Sequence, residues 1–248
     1  GGNLRASAAP SAELHVCPSG CAYASVQAAV DDAGNGDVIK VAAGTYTGVE
    51  SRPAPPGYLS GPPNISPVVY LNKALTSQGG YTTSNWTDPD PIANPTILDA
   101  QGQGRVLFIF GDVSPTIAGL RLAGGDASGL GGHPWGGGSS TGGGVNVLSA
   151  TTTIRDCWVY ESRADFGGGI YLDRSDSTVQ NTEVTTNTAN WGGGLSLRMS
   201  GAQILDNTIA GNTVVASGSG VPSAGGGMSV DTEHGLVPTI LLQGKSIT

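Results

Sequence analysis

Apolar residues in this chain come in short alternating bursts, and the bursts recur in register. GGGVNV begins at Gly142, GGGIYL at Gly167, GGGLSL at Gly192 and GGGMSV at Gly225; the first three start 25 residues apart and the fourth 33 further on. Alignment on these glycines puts Ile154, Val179 and Ile204 in one apolar column, and Val159, Val184 and Ile209 in another. RVLFIFGDVSPTIAGLRL reads as an earlier copy without the glycines, with Val106, Phe108, Ile117 and Leu122 in the same roles. Met228, Val230, Leu242 and Ile247 form a last copy, giving five matched units. Alternation such as Ile170-Tyr171-Leu172 sends Ile170 and Leu172 to one face and Tyr171 to the other. Segments this short and β-branched are strands, not helices. Three strands per unit, joined by Gly, Ser, Asn and Asp, describe one coil of a parallel β-solenoid. A single coil cannot bury its apolar face; stacking makes the core continuous. About five inward side chains per coil, at roughly 1.5–3 kcal/mol each, supply the main favourable term.

The polar columns fall at the corners. Each glycine triplet enters a strand where φ > 0, or the absence of a Cβ, is required. Ser162, Asn187 and Asn212 form a second column, and stacked Asn187 and Asn212 are expected to make an amide ladder. Asp156, Asn181 and Asp206 form a third, which turns Cys157 and Asn207 inward. One helix is expected, from Tyr23 to Ala33: Val26, Ala29, Val30 and Ala33 share a face, Ser25 caps it, and Gly34 and Gly36 end it. Placed before the first coil, it would cover the open end of the core.

The order SVQAAVDDAGNGDVIKVAAGTY, VVYLNKALTSQGGY and PTILDAQGQGRVLFI resembles the start of right-handed β-helix proteins of the pectin-lyase-like superfamily. The later units, as in NTANWGGGLSL, resemble repeats of polymorphic outer membrane proteins and similar bacterial surface β-helices. The resemblance runs from about Val16 onward. It implies an all-β, right-handed parallel β-helix, but that superfamily spans lyases, hydrolases, adhesins, tailspikes and passive stalks. The expected organisation is a flexible segment over 1–15 and one β-helix domain over 16–248. Within it lie a cap (16–36), early coils with insertions (37–123), a Gly-rich loop (124–143) and regular coils (144–248). The last strand has no cap, so either the native chain continues past Thr248 or another molecule covers that end; end-to-end self-association is one expectation.

Composition narrows the function classes. The net charge is −8, with 11 Lys and Arg spread along 248 residues, so no basic stripe offers itself to nucleic acid. No apolar run is long enough to span a membrane as a helix. The 41 glycines largely occupy register positions and loops, and low Lys with abundant Thr, Ser and Asn fits a secreted or cell-surface protein. Cys17 and Cys21 are close enough for a disulfide near the cap, which suits an oxidising compartment; Cys157 reads as a small core residue. Insertions interrupt the repeat from Ser51 to Pro67, Gly79 to Pro95, Gly124 to Gly143 and from Ala216. Asn64 and Asn85 head glycosylation sequons.

Candidate chemistry is sparse. The first strand's outward column reads Leu107, Asn146, Tyr171, Ser196 and Ser229, none of them charged. Stacking places Asp173 near Arg198, a candidate catalytic or calcium-and-base pair. A solvated ion pair is the simpler reading. No calcium motif is present and no cofactor is expected. Asp231, Glu233 and His234 cluster in a related turn, and His133, Pro134 and Trp135 stand in the Gly-rich loop. Trp158, Tyr160 and Trp191 are candidates for stacking on sugar rings, unless a neighbouring loop covers them. No nucleophile elbow, zinc-protease or phosphate-loop motif occurs. The expected function is a non-catalytic, bacterial extracellular or cell-surface β-helix, acting as a structural, adhesive or self-assembling module with a carbohydrate or protein partner. The alternative is a polysaccharide lyase or glycoside hydrolase whose catalytic residues lie in these turns or beyond Thr248.

Overall fold

A computed structural model describes residues 11–58, 61–133, 138–215, 225–232, 239–244 and 246–247. Trp135, Glu233 and His234 lie outside these. Each repeat unit makes one coil of three parallel strands, and the coils stack into three long sheets. The first sheet contains the strands that follow the glycine triplets: Val145–Leu148, Ile170–Asp173, Leu195–Arg198 and Met228–Asp231, preceded by Pro67–Leu71 and Arg105–Phe110. The second carries Thr153–Arg155, Thr178–Gln180 and Gln203–Leu205 among its members, and the third Trp158–Tyr160, Glu183–Thr185 and Thr208–Ala210. Every link between neighbouring strands of one sheet is a parallel crossover, the connection that strand twist makes right-handed in nearly all proteins. This is the parallel β-helix that the repeat implies.

The core runs inside the three sheets and includes the columns Val145, Ile170, Leu195; Ile154, Val179, Ile204; and Val159, Val184, Ile209. Each corner holds one left-handed residue per coil. Asp156, Asn181 and Asp206 turn the second sheet into the third, with φ of 56°, 45° and 55°. The next residue then points inward and caps the coil before it. Asn207 Oδ1 accepts from the Thr182 backbone N–H (2.9 Å), while its Nδ2 donates to Val179 O (2.8 Å). At the following corner Asn187 Nδ2 donates to Asn212 Oδ1 (3.0 Å) and to Val159 O (2.9 Å). These amides satisfy buried corner backbone that an apolar side chain would leave unpaired.

The helix is shorter than its sequence pattern, Val26–Asp32. Ser25 caps it, its Oγ accepting the Ala28 N–H, and Val26, Ala29 and Val30 join the main core. Glu13–Val16 pairs in parallel with Val38–Val41, so ordered strand begins inside the segment expected to be flexible. A full coil also precedes the five units read from the repeat, built from Val38–Ala42, Gly44–Tyr46 and Pro67–Leu71. Cys17 and Cys21 form a disulfide beside the helix.

Cys157 is buried, and desolvation pushes its thiol up to about 12. A raised acid pKa favours the protonated native form. Its contribution to stability is therefore complete below the ordinary thiol value of about 8.5 and declines as pH climbs from there towards 12. Iodoacetamide should leave Cys157 unmodified in native protein at neutral pH and label it once urea unfolds the chain; mass spectrometry of the alkylated tryptic peptide reads the difference.

Candidate functional site

The outside of the first sheet carries the uncharged column in a shifted register and is partly covered by inserted chain. Val145 pairs with Leu107 and Asn146 with Phe108. Leu107 therefore points into the core and Phe108 out of it, the reverse of the sequence reading. The outward column is Tyr70, Phe108, Asn146, Tyr171, Ser196 and Ser229. Its N-terminal half lies beneath the Pro-rich insertion, whose Arg52–Pro53 and Asn64–Ile65 segments pair antiparallel. Ile65, Phe108, Leu148 and Tyr171 make a second small core there, with Tyr58, Tyr70 and Phe166 packed against it. The Gly-rich loop closes the same face. Arg105, 0 % exposed, donates through Nε to Thr141 O (2.8 Å) and through Nη2 to Gly131 O (2.6 Å). Desolvation lowers its pKa. The N-terminal part of the uncharged column is covered by these two insertions.

Two residues further along these strands, Asp173, Arg198 and Asp231 stand in register on adjacent coils. Arg198 Nη1 lies 2.8 Å from Asp173 Oδ1, and Arg174 Nη2 lies 3.2 Å from Asp173 Oδ2. The side chains of Asp173 and Arg198 are only 1 % and 5 % exposed, so the pair is buried rather than solvated. Asp231, partly exposed, approaches Arg198 Nε at 4.0 Å. Tyr171 lies on the same face; its burial, reinforced by the Asp173 charge, raises the hydroxyl pKa far above the ordinary tyrosine range. The carboxylate–guanidinium–carboxylate ladder is thus a closed network with both Asp173 oxygens engaged.

The aromatic candidates do not share one surface. Trp191 stacks on Phe166 with ring centres 6.2 Å apart, and Phe166 on His133 at 4.4 Å, forming a pile at the corner leading into the first sheet. Trp158 and Tyr160 are half-buried on the outside of the third sheet. The Arg121 guanidinium lies 5.2 Å from the Trp158 ring centre. Among the described residues, no loop seals Trp158. It lines an open groove of about 630 Å³ whose far wall is the turn Pro89–Ile92 of the second insertion. Ile92 is 76 % exposed.

The polar lining of that groove comes from stacked columns. Trp158, Glu183 and Thr208 are direct register partners across three coils, about 4.8 Å apart from one to the next. Beside them run the corner residues Asp156, Asn181 and Asp206. Asn181 Nδ2 donates to Asp156 Oδ1 (2.7 Å), and Arg155 Nη1 pairs with Asp156 Oδ2 (2.8 Å). Sequence spacing puts Glu183 and Asp206 in their columns but gives no sign of a groove. Its missing wall is non-repetitive chain, positioned by the Asp90 backbone N–H donating to Gly80 O (2.8 Å). Among the described residues, no three His, Cys, Asp or Glu side chains are grouped to hold a metal ion, and no helix is long and apolar enough to cross a membrane.

Fold and site together define a parallel β-helix with a loop-covered outer face and an open groove beside Trp158. No family model matches the chain, and no curated protein matches it. Among solved structures it is similar to the pectin methylesterase from Aspergillus niger in deglycosylated form, at 14 % identity and a TM-score of 0.47, covering 95 % of this chain and 75 % of that one. The same enzyme in a penultimately deglycosylated form gives 15 % identity and a TM-score of 0.46, covering 96 % and 76 %.

Proposed function

We propose that this protein is a secreted or cell-surface adhesive β-helix that binds polysaccharide without cleaving it, along the groove floored by Trp158. The observation that carries this reading is a half-buried aromatic side chain lining an open groove, bordered by hydrogen-bonding side chains repeated at the coil spacing. Glycan sites pair an apolar ring face with a few placed polar groups. The coil spacing is close to the length of one pyranose unit in a β-linked chain, so successive coils offer similar contacts to successive sugars.

Affinity electrophoresis through gels containing soluble polysaccharides tests it. Retardation of the wild type by at least one glycan is expected. Trp158→Ala should weaken that binding at least tenfold, which corresponds to about 1.4 kcal/mol, with an unchanged urea midpoint. Trp191→Ala, on another corner, should leave binding intact. Equal retardation of wild type and Trp158→Ala would remove the groove from the reading.

A second reading makes the chain a carbohydrate-active enzyme through Asp173, Arg198 and Asp231. The in-register ladder on an outer face is what favours it. Two coils separate the carboxylates, roughly 9–10 Å at the strand spacing, near the upper limit for a water-using glycosidase pair. Arg198 stands in the gap where a sugar and its water would have to sit. Product release from a polysaccharide panel, abolished by Asp173→Asn in a variant that still folds, would establish the enzymatic reading.

A further inference from the structure

The groove's charge goes further than its shape. Its lining carries four carboxylates, Asp90, Asp156, Glu183 and Asp206, against the Arg155 guanidinium and that of Arg121, which sits over the Trp158 ring. Two of the four are engaged. Asp156 is held by Arg155 and Asn181. Asp90 Oδ1 accepts from the backbone N–H groups of Ile92 and Ala93, and so shapes the groove wall. Glu183 and Asp206 are exposed, and among the described residues neither carboxylate accepts a hydrogen bond or joins an ion pair. Glu183 is the register neighbour of Trp158, and Asp206 stands at the corner of the next coil. The open groove therefore presents an aromatic floor with two uncommitted anions beside it, one coil apart.

Resting on the polysaccharide reading above, we propose that the ligand is a polymer of protonated amino sugars, glucosamine units with free amines. Pyranose rings along the groove would stack on Trp158, while their ammonium groups meet Glu183 and Asp206. With the Arg121 guanidinium already over the Trp158 ring, the ammonium groups gain their attraction from the two carboxylates and not from the indole. Uronate polymers would place carboxylates against Glu183 and Asp206 and be repelled. Neutral glycans keep the stacking but lose the charge pairing. Because both carboxylates are exposed, the charge-dependent part of binding should be screened by salt, over a Debye length of about 8 Å at physiological ionic strength.

Isothermal titration calorimetry at mildly acidic pH, where amines are protonated and carboxylates ionised, tests this with four probes of matched length: glucosamine oligomers, N-acetylglucosamine oligomers, oligogalacturonate and oligolysine. Glucosamine oligomers should bind at least about tenfold more tightly than their N-acetylated counterparts, with that margin shrinking as salt is added. The double variant Glu183→Gln, Asp206→Asn should bring the two to equal affinity without weakening the N-acetylated oligomers. Trp158→Ala should weaken both. Equal or tighter binding of N-acetylated or galacturonate oligomers would overturn the amino-sugar assignment while leaving a polysaccharide groove. Oligolysine matching the glucosamine oligomer would overturn it in favour of a basic-peptide site. If no glycan binds, the polysaccharide reading itself falls.

Discussion

Gly169→Val should unfold at a markedly lower urea concentration than the wild type, with a loss on the order of 3 kcal/mol or more. A Cβ at Gly169 would meet Gly194 O at 2.6 Å, Val184 Cγ1 at 2.8 Å and Asn187 Nδ2 at 2.9 Å. The first is backbone of the next coil, and the third belongs to the corner amide ladder. Neither can withdraw without breaking parallel pairing or a buried hydrogen bond. Gly211 provides the comparison. Its φ is +64°, but a Cβ there meets nothing within 4 Å. Gly211→Ala should therefore cost only the left-handed backbone penalty, about 1–2 kcal/mol. Urea denaturation of both variants separates close packing from backbone conformation as the reason for a corner glycine. Equal losses for the two would contradict the steric account.

Removal of Arg198 should be as damaging. In Arg198→Met the Asp173 carboxylate, 1 % exposed, keeps only Arg174, a half-exposed neighbour at 3.2 Å. Breaking a buried pair from one side costs about 3–5 kcal/mol, whereas replacing both charges by apolar groups of similar size is often close to neutral. The double variant Asp173→Leu, Arg198→Met should therefore recover most of the stability lost by Arg198→Met. The coupling energy should be on the order of 2 kcal/mol in a denaturation double-mutant cycle. That recovery identifies the pair as a clamp holding adjacent coils together. Wild-type stability of Arg198→Met would sink this view and return the pair to the list of catalytic candidates.

The two variants probe different levels of the chain's organisation. Gly169 belongs to a column visible in the sequence, because Gly144, Gly169 and Gly194 repeat at 25 residues and each occupies the same corner. Asp173 and Arg198 are also 25 apart, so their adjacency could be read in advance. Their burial could not. Loops and neighbouring coils set it, and such chain has no period. Leu107 shows the other limit. The strand Arg105–Phe110 lacks a glycine triplet to anchor its alignment, and a slip of one residue in a strand reverses every side chain. Phe108 was thereby expected inside, and it packs instead beneath the Pro-rich insertion.

The groove divides along the same line. Trp158, Glu183 and Thr208, with Asp156, Asn181 and Asp206 beside them, follow from the repeat. The wall at Pro89–Ile92 follows only from where an irregular loop folds back. Sequence alone also placed Trp191 among the aromatic candidates, yet it belongs to a different corner, stacked on Phe166.

What the sequence by itself determined is the coil: its three strands, its inward columns and its corner amides. Each of these rests on contacts between residues at a fixed separation, so a periodic pattern encodes them. Only the tertiary structure decided which outward residues meet solvent. The insertions that cover the first sheet and wall the groove are held by isolated contacts, such as Arg105 to Gly131 and Thr141 and Asp90 to Gly80, which no repeated column of the sequence marks. The uncharged outer column is covered over its N-terminal part, and a charged, open face lies around the corner beside Trp158.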